Sequence, residues 1–290
     1  MSLAVSAVEG LRRLAWPGWR ARFLYSIIRG VFACVPIRRS LVLESLRLSF
    51  PEQDESWRRA TLKKIYQHYA WMLVEVLAVQ NDPSLVTKMA VEVEGLDVLN
   101  ELKASGKGCF ILTGHMGNWE FSAAWINQAG FPTEAAVRDP DNADFAELIE
   151  TYRRRVGLVT LRKGALGVRN MIKHARDGKW IGLLADQDAG PNAVPVTFLG
   201  RRTTMVEGPA ALSLTAEVPL IGLYSVRRAP FQYTIKITPA ILTGNEGRSR
   251  EHITDYTLKA NEVLEEMVRT APEQWFWFHR RWKNNPDAPR

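Results

Sequence analysis

From residue 51 to about residue 80, apolar side chains return every three to five positions, at Trp57, Leu62, Ile65, Tyr69, Met72, Val76 and Val79. This spacing predicts an amphipathic helix laid over a sheet, and Asn81-Asp82-Pro83 ends it. Short apolar runs at 108–112, 135–137, 159–161 and 180–184 then alternate with helical stretches at 118–128, 143–156 and 166–175. Strand, helix, strand at that spacing predicts a mainly parallel or mixed sheet flanked by helices, with right-handed crossovers. A helix at 209–216, two more apolar runs at 220–226 and 233–237, and a last helix from about 251 to 269 precede an aromatic and basic tail. No repeat or low-complexity linker interrupts the pattern. The fold class is α/β, with one such domain over residues 51–290 and a basic amphipathic helical segment over residues 1–50.

Composition narrows the class without naming a chemistry. A chain of 290 residues at 46% hydrophobic and 24% charged is neither disordered nor fibrous. Its two cysteines, Cys34 and Cys109, form no C-x-x-C pair or zinc spacing and no extracellular framework, which suits a reducing compartment.

The net charge of +7 has one address. Between residues 10 and 43 stand seven arginines (12, 13, 20, 22, 29, 38 and 39) and no acid, so the rest of the chain balances 31 basic against 31 acidic residues. A nucleic-acid binder would spread its excess over a face of the folded domain, so no nucleic-acid partner is expected. The same stretch holds apolar runs at 23–28 and 31–35, broken by Arg29. It falls short of the roughly 18 to 20 apolar residues of a spanning helix, and no small-residue cleavage site signals export. Trp16, Trp19 and Tyr25 beside arginines suit a segment lying in the headgroup region of an anionic leaflet, where each cation contributes about 1 kcal/mol. The plainer alternative is a first core helix with arginine stems running along its ends.

The sharpest local feature is Thr113-Gly114-His115-Met116-Gly117-Asn118-Trp119-Glu120, placed where the strand at 108–112 turns into a helix. In open α/β sheets that strand end is where ligands bind. His115 and Glu120 are five apart, about 140° around a helix, and so cannot share a helical face. With His115 in the turn and Glu120 in the first helical turn, the carboxylate can reach back to one imidazole nitrogen, fix the tautomer and leave the other nitrogen as a base. Gly114 and Gly117 permit close approach, and the helix N-terminus offers N–H groups to an oxyanion. A core histidine beside a helix cap is the bland reading of the same residues. The chain has no G-x-S-x-G elbow, phosphate loop or dinucleotide fingerprint. A base without a protein nucleophile points to a substrate hydroxyl attacking an activated acyl carbon, with no covalent enzyme intermediate.

These residues resemble the bacterial lipid A late acyltransferases of the lysophospholipid-acyltransferase-like superfamily. The likeness runs from about residue 41 to 283. It rests on the H-x4-E box 115–120, Arg138 with Asn142, Ala185-Asp186-Gln187-Asp188, Phe198-Leu199-Gly200, and the tail Trp277-Phe278-His279-Arg280-Arg281-Trp282-Lys283. It implies a glycerol-phosphate-acyltransferase-like fold and transfer of a fatty acyl chain from acyl carrier protein, or coenzyme A, to a hydroxyl of a membrane glycolipid. A lipid A precursor is the first choice of acceptor, and phosphatidylinositol mannoside or another lysolipid the alternative. It further implies His115 as base with Glu120 orienting it, no cofactor or resident metal, and a peripheral or monotopic place on the cytoplasmic face of the bacterial inner membrane. Substrate contacts fall to Gly117, Asn118, Arg138, Asn142, Asp186, Asp188, Arg280, Arg281 and Lys283.

Some of these residues carry other readings. Alone, Asp186 and Asp188 fit a divalent cation and a nucleotide sugar, or equally a pairing with arginines such as Arg201. Arg138, Arg155, Lys163 and Arg169 offer a phosphate lining. The tail packs five aromatics, one histidine and three cations into residues 275–283, suited to closing an acyl pocket, holding phosphates or docking on the core. Beside the acyltransferase stand a metal-dependent glycosyltransferase and a non-catalytic membrane-surface binding protein.

Overall fold

The computed structural model describes residues 3–35, 37–137, 142–162 and 164–283. Three helices, α1 (Leu3–Leu14), α2 (Trp19–Cys34) and α3 (Arg39–Ser49), lead into the long α4 (Glu55–Asn81). Asp54 caps α4 by accepting the Trp57 N–H at 2.7 Å, and Asp82 before Pro83 stops it. There follow α5 (Leu85–Met89), β1 (Ala90–Glu94), α6 (Leu96–Ala104), β2 (Cys109–Thr113), α7 (Trp119–Gln128), β3 (Thr133–Val137), α8 (Ala143–Arg155), β4 (Val159–Arg162), α9 (Ala165–Arg176) and β5 (Trp180–Leu184). The hairpin β6 (Val194–Phe198) and β7 (Arg201–Met205) precedes α10 (Gly208–Ala216), β8 (Leu220–Ala229), β9 (Gln232–Leu242) and α11 (Arg250–Thr270).

Seven strands form one sheet in the order β1-β9-β8-β2-β5-β3-β4. Its pairs are parallel except the β8–β9 hairpin. The mixed α/β fold with a mainly parallel sheet flanked by helices thus agrees with the sequence pattern. The central strands are apolar along their length because helices cover both faces. Along β2 the side chains alternate, Phe110 and Leu112 entering one core with Ile181, Leu183 and Leu220, Cys109 and Ile111 the other with Trp180 and Ile221.

Helix α4 serves both cores: Leu62, Ile65, Tyr69 and Met72 pack into the first, Val74, Leu77, Ala78 and Val79 into the second. Its outer side is covered by α2, whose Tyr25 stacks on Trp71 at 4.4 Å. Helix α1 is tied to the far end of α4, where the Asn81 amide donates to the carbonyls of Arg12 and Ala15. Tyr152 of α8 donates to Glu9 at 2.7 Å. Among the described residues no helix is long and apolar enough to cross a membrane.

Candidate active site

Strands β2 and β5 lie side by side in register, Thr113 opposite Leu184, and the Ala185 N–H donates to the Thr113 carbonyl at 3.1 Å. Two residues past the end of each strand stand His115 and Asp186, which brings together groups 71 residues apart in sequence. Asp186 Oδ1 faces His115 Nδ1 at 2.8 Å, and Oδ2 accepts the His115 backbone N–H at 2.7 Å and the Trp275 indole N–H at 2.8 Å. An ionised carboxylate only accepts, so Nδ1 carries the proton and the Nε2 lone pair is the basic one.

Burial pushes the Asp186 carboxyl up, but the imidazole beside it and the N–H groups of His115 and Trp275 outweigh burial and bring it down to about 2. Gly114 makes the approach possible: a Cβ there would stand 3.1 Å from Asp186 Oδ2. The imidazole keeps 21% of its side-chain surface exposed while the Asp186 side chain keeps 3%, an arrangement of accessible base and sealed support.

The turn carrying His115 is clamped from three sides. The segment after α11 adds an antiparallel bridge, Met116 to Trp275. In it the Phe276 N–H donates to the His115 carbonyl and the Gly117 N–H donates to the Gln274 carbonyl, each at 3.0 Å. From α4, His68 Nε2 donates to the Gly117 carbonyl at 3.0 Å. Burial and the nearby Arg227 push the His68 imidazole well below its ordinary range, so it stays neutral. Gly117 has φ +59°, and a methyl there would collide with the Ser225 carbonyl. Behind the turn, the Gln274 amide exchanges two bonds with the Arg227 backbone, and the Arg227 guanidinium pairs at 2.8 Å with Glu75, which is fully buried.

The Phe276 ring links the imidazole to a mostly apolar groove, which Arg38 and His279 also line. Trp119 meets the imidazole edge-on at 5.1 Å and Phe276 lies at 5.8 Å. Phe276 and Phe278 then line a cavity of about 430 Å3 with Tyr69, Phe32, Ile37 and Leu73. Tyr69 is 7% exposed, burial holds its hydroxyl in the protonated form, and among the described residues that hydroxyl has no hydrogen-bond partner. The tail alternates as a strand does. Trp275 and Trp277 enter the core, while Phe276 and Phe278 line the groove; beyond them His279 also borders the groove, and its Nε2 accepts the Asp188 N–H at 3.1 Å.

Several sequence expectations need correction. The carboxylate against His115 Nδ1 is Asp186, not Glu120; Glu120 instead takes Arg153 in a two-pronged pair at 2.6 and 3.1 Å. In the first turn of α7 its side chain leaves along the helix flank toward α8. Asn118 is 1% exposed and spends its Oδ1 on the Phe121 N–H as the cap of α7, so it is a structural residue. Gly117 likewise packs on β8 as turn architecture. Asn142 caps α8 through the Phe145 N–H, and Arg138 and Lys163 lie outside the described residues.

Arg281, expected to hold phosphate, is fully buried. Its guanidinium reaches the carbonyls of Thr204 and Gln187 and lies over the Phe198 ring at 5.0 Å, which pins the β6–β7 hairpin. Arg280 is exposed, and exposed Lys283 stands 3.9 Å from Asp188. Asp188 Oδ1 accepts the Gly190 N–H at 3.0 Å. A metal held by Asp186 and Asp188 does not fit this donor set, because three N–H groups already occupy the Asp186 oxygens. The sequence reading passed over His68, Tyr69, Phe276 and His279 as site residues. The aromatic alternation of the tail is the available signal for Phe276, and none points to His279.

Comparison with known proteins gives this geometry a context. The sequence profile of the bacterial lipid A biosynthesis acyltransferases matches residues 15–284. The lipid A biosynthesis palmitoleoyltransferase of Escherichia coli (strain K12) is 25% identical over 255 residues, covering 86% of this chain and 80% of its own. The lipid A biosynthesis myristoyltransferase of the same strain is 25% identical over 283 residues, covering 95% and 84%. A phosphatidylinositol mannoside acyltransferase of Mycobacterium tuberculosis (strain CDC 1551 / Oshkosh) is 28% identical over 156 residues, 52% of this chain and 49% of that one. With a matching profile across almost its whole length and acyltransferases among its relatives, the chain belongs to the bacterial lipid A biosynthesis acyltransferase family and is an enzyme that transfers acyl groups.

Proposed function

We propose that the protein moves a fatty acyl chain from an acyl thioester, carried by acyl carrier protein or coenzyme A, to a hydroxyl of a membrane glycolipid, a lipid A precursor in the first instance. The observation that carries this reading is the His115–Asp186 pair at the sheet rim beside an apolar groove. Nε2 of His115 takes the hydroxyl proton as the oxygen attacks the thioester carbonyl carbon. The tetrahedral oxyanion then collapses, the C–S bond breaks, and the thiolate recovers the proton from the imidazolium. The products are an ester and a free thiol, and no enzyme-bound acyl group forms. Asp186 keeps Nδ1 protonated and steadies the imidazolium, the role that the sequence assigned to Glu120.

The test is a transfer assay with the full chain, an acyl-loaded carrier protein and a glycolipid acceptor lacking one acyl chain, read by mass spectrometry. A gain of one acyl chain is expected, and the absence of any shift overturns the reading. The mycobacterial relative supports one alternative acceptor. A shift on phosphatidylinositol mannoside and none on lipid A precursor would transfer the assignment to that lipid.

The second part of the proposal is docking on an anionic leaflet through α2. Trp19, Phe23, Ile27 and Val31 recur every four residues along this helix, Val35 follows directly after it, and all are exposed, Trp19 at 73%. So much apolar surface in one stripe, with arginines 20, 22 and 29 on the same helix, fits the headgroup region. Replacing Phe23, Ile27 and Val31 together with serine is expected to weaken sedimentation with phosphatidylglycerol vesicles at least tenfold, since burying each such side chain contributes on the order of 1 kcal/mol or more. Unchanged sedimentation overturns the docking face.

A further inference from the structure

A second cavity shares the Phe32 ring with the apolar groove. It encloses about 340 Å3 between α2, the start of α3 and the first half of α4, where Arg29, Arg39, Arg59 and Lys63 surround an apolar floor that includes Phe32 and Tyr66. Among the described residues no aspartate or glutamate lines it. Among the described residues only Arg59 of these four cations has a carboxylate partner, Glu55 of the preceding helical turn at 2.8 Å. Four like charges at one concavity repel each other, and a multivalent anion seated among them removes that repulsion. A phosphate monoester, with a charge of about −1.5 to −2 near neutral pH, matches the set better than a carboxylate.

The cavity's neighbour says what the anion is attached to. Phe32 packs against Tyr66 at 5.8 Å and Tyr66 against Phe278 at 5.9 Å, so one aromatic wall runs from the cationic cavity into the groove whose Phe276 ring lies 5.8 Å from His115. A molecule with a phosphate at one end and hydrocarbon at the other fits both compartments at once. We propose that Arg29, Arg39, Arg59 and Lys63 form a phosphate subsite for a phosphorylated membrane lipid, whose hydrocarbon crosses Phe32 into the groove beside His115. This rests on the reading of the protein as a lipid acyltransferase, and it places the acceptor's charge away from Arg280, Arg281 and Lys283, where the sequence expectation had put it.

The test is a calorimetric titration of the full chain with decyl phosphate below its micelle threshold, with inorganic phosphate and with decanoate. Decyl phosphate is expected to bind at least tenfold more tightly than either of the others. The double variant Arg39→Gln/Lys63→Gln, whose side chains are exposed, should lose at least tenfold of that affinity with an unaltered circular dichroism spectrum, and Arg59→Gln alone should lose a smaller part. Equal affinity for inorganic phosphate overturns a lipid source, and equal affinity for decanoate overturns the phosphate. Undiminished binding by the double variant and by Arg59→Gln overturns the location. The readout is binding, so failure of this subsite and failure of the transfer reaction are seen separately.

Discussion

Replacing His115 by alanine lowers acyl transfer by about 10²-fold or more, the usual cost of removing a general base, while leaving vesicle sedimentation and the circular dichroism spectrum as they were. The ring is partly exposed and flanked by Trp119 and Phe276, so its loss opens a small gap at the groove mouth and leaves the sheet untouched. Initial rates of ester formation with a fixed acyl donor check it. A variant that keeps most of its activity would remove His115 from the chemistry and leave the groove as a binding surface.

The second large effect is expected at Asp186, and it separates the geometry from the sequence motif. In Asp186→Asn the amide can turn a donor toward Nδ1, which favours the tautomer with its lone pair on the wrong nitrogen. In a serine protease triad the equivalent change costs about 10⁴-fold, so a loss of roughly 10² to 10⁴ is anticipated here. Glu120→Gln, which weakens only the pair with Arg153, should cost less. A larger loss from Glu120→Gln than from Asp186→Asn would restore Glu120 as the functional partner. Stability gives an independent readout. The Asp186 carboxyl titrates at about 2 in the fold, below its ordinary value of 3.8. Its ionised form therefore stabilises the protein fully above about pH 4, and that contribution disappears as pH falls through 2. The gap in thermal midpoint between the parent and Asp186→Asn should narrow over that window, and a constant gap would refute the ion-pair account.

The contrast between Glu120 and Asp186 shows what a linear chain makes legible. The H-x4-E spacing exposed the histidine, the turn and the helix start, because those depend on neighbours within a few residues. The true neighbour of the imidazole comes from β5, placed beside β2 only by the strand order of the sheet. The alternation of apolar runs with helical stretches had placed both strands without saying which ones touch. Other omissions have local causes. In β1 the glutamates at 92 and 94 interrupt the apolar run, because an edge strand needs no second buried face. The β6–β7 hairpin carries Pro195 and turns through Leu199 and Gly200, both at positive φ, and the two pairs next to the turn set Phe198 and Thr197 against the charged Arg201 and Arg202. Arg281 read as a surface cation because nothing in its own segment announces that the hairpin will close over it.

The backbone of residues 274–276, which holds the turn at His115 and Gly117, is among the last of the described chain to leave the ribosome. The strands of the sheet are synthesised before it, yet the imidazole acquires its working orientation only when that short piece arrives and its indole reaches Asp186. The sheet by itself is accordingly an inert scaffold, and it becomes a competent catalyst only once that segment has docked.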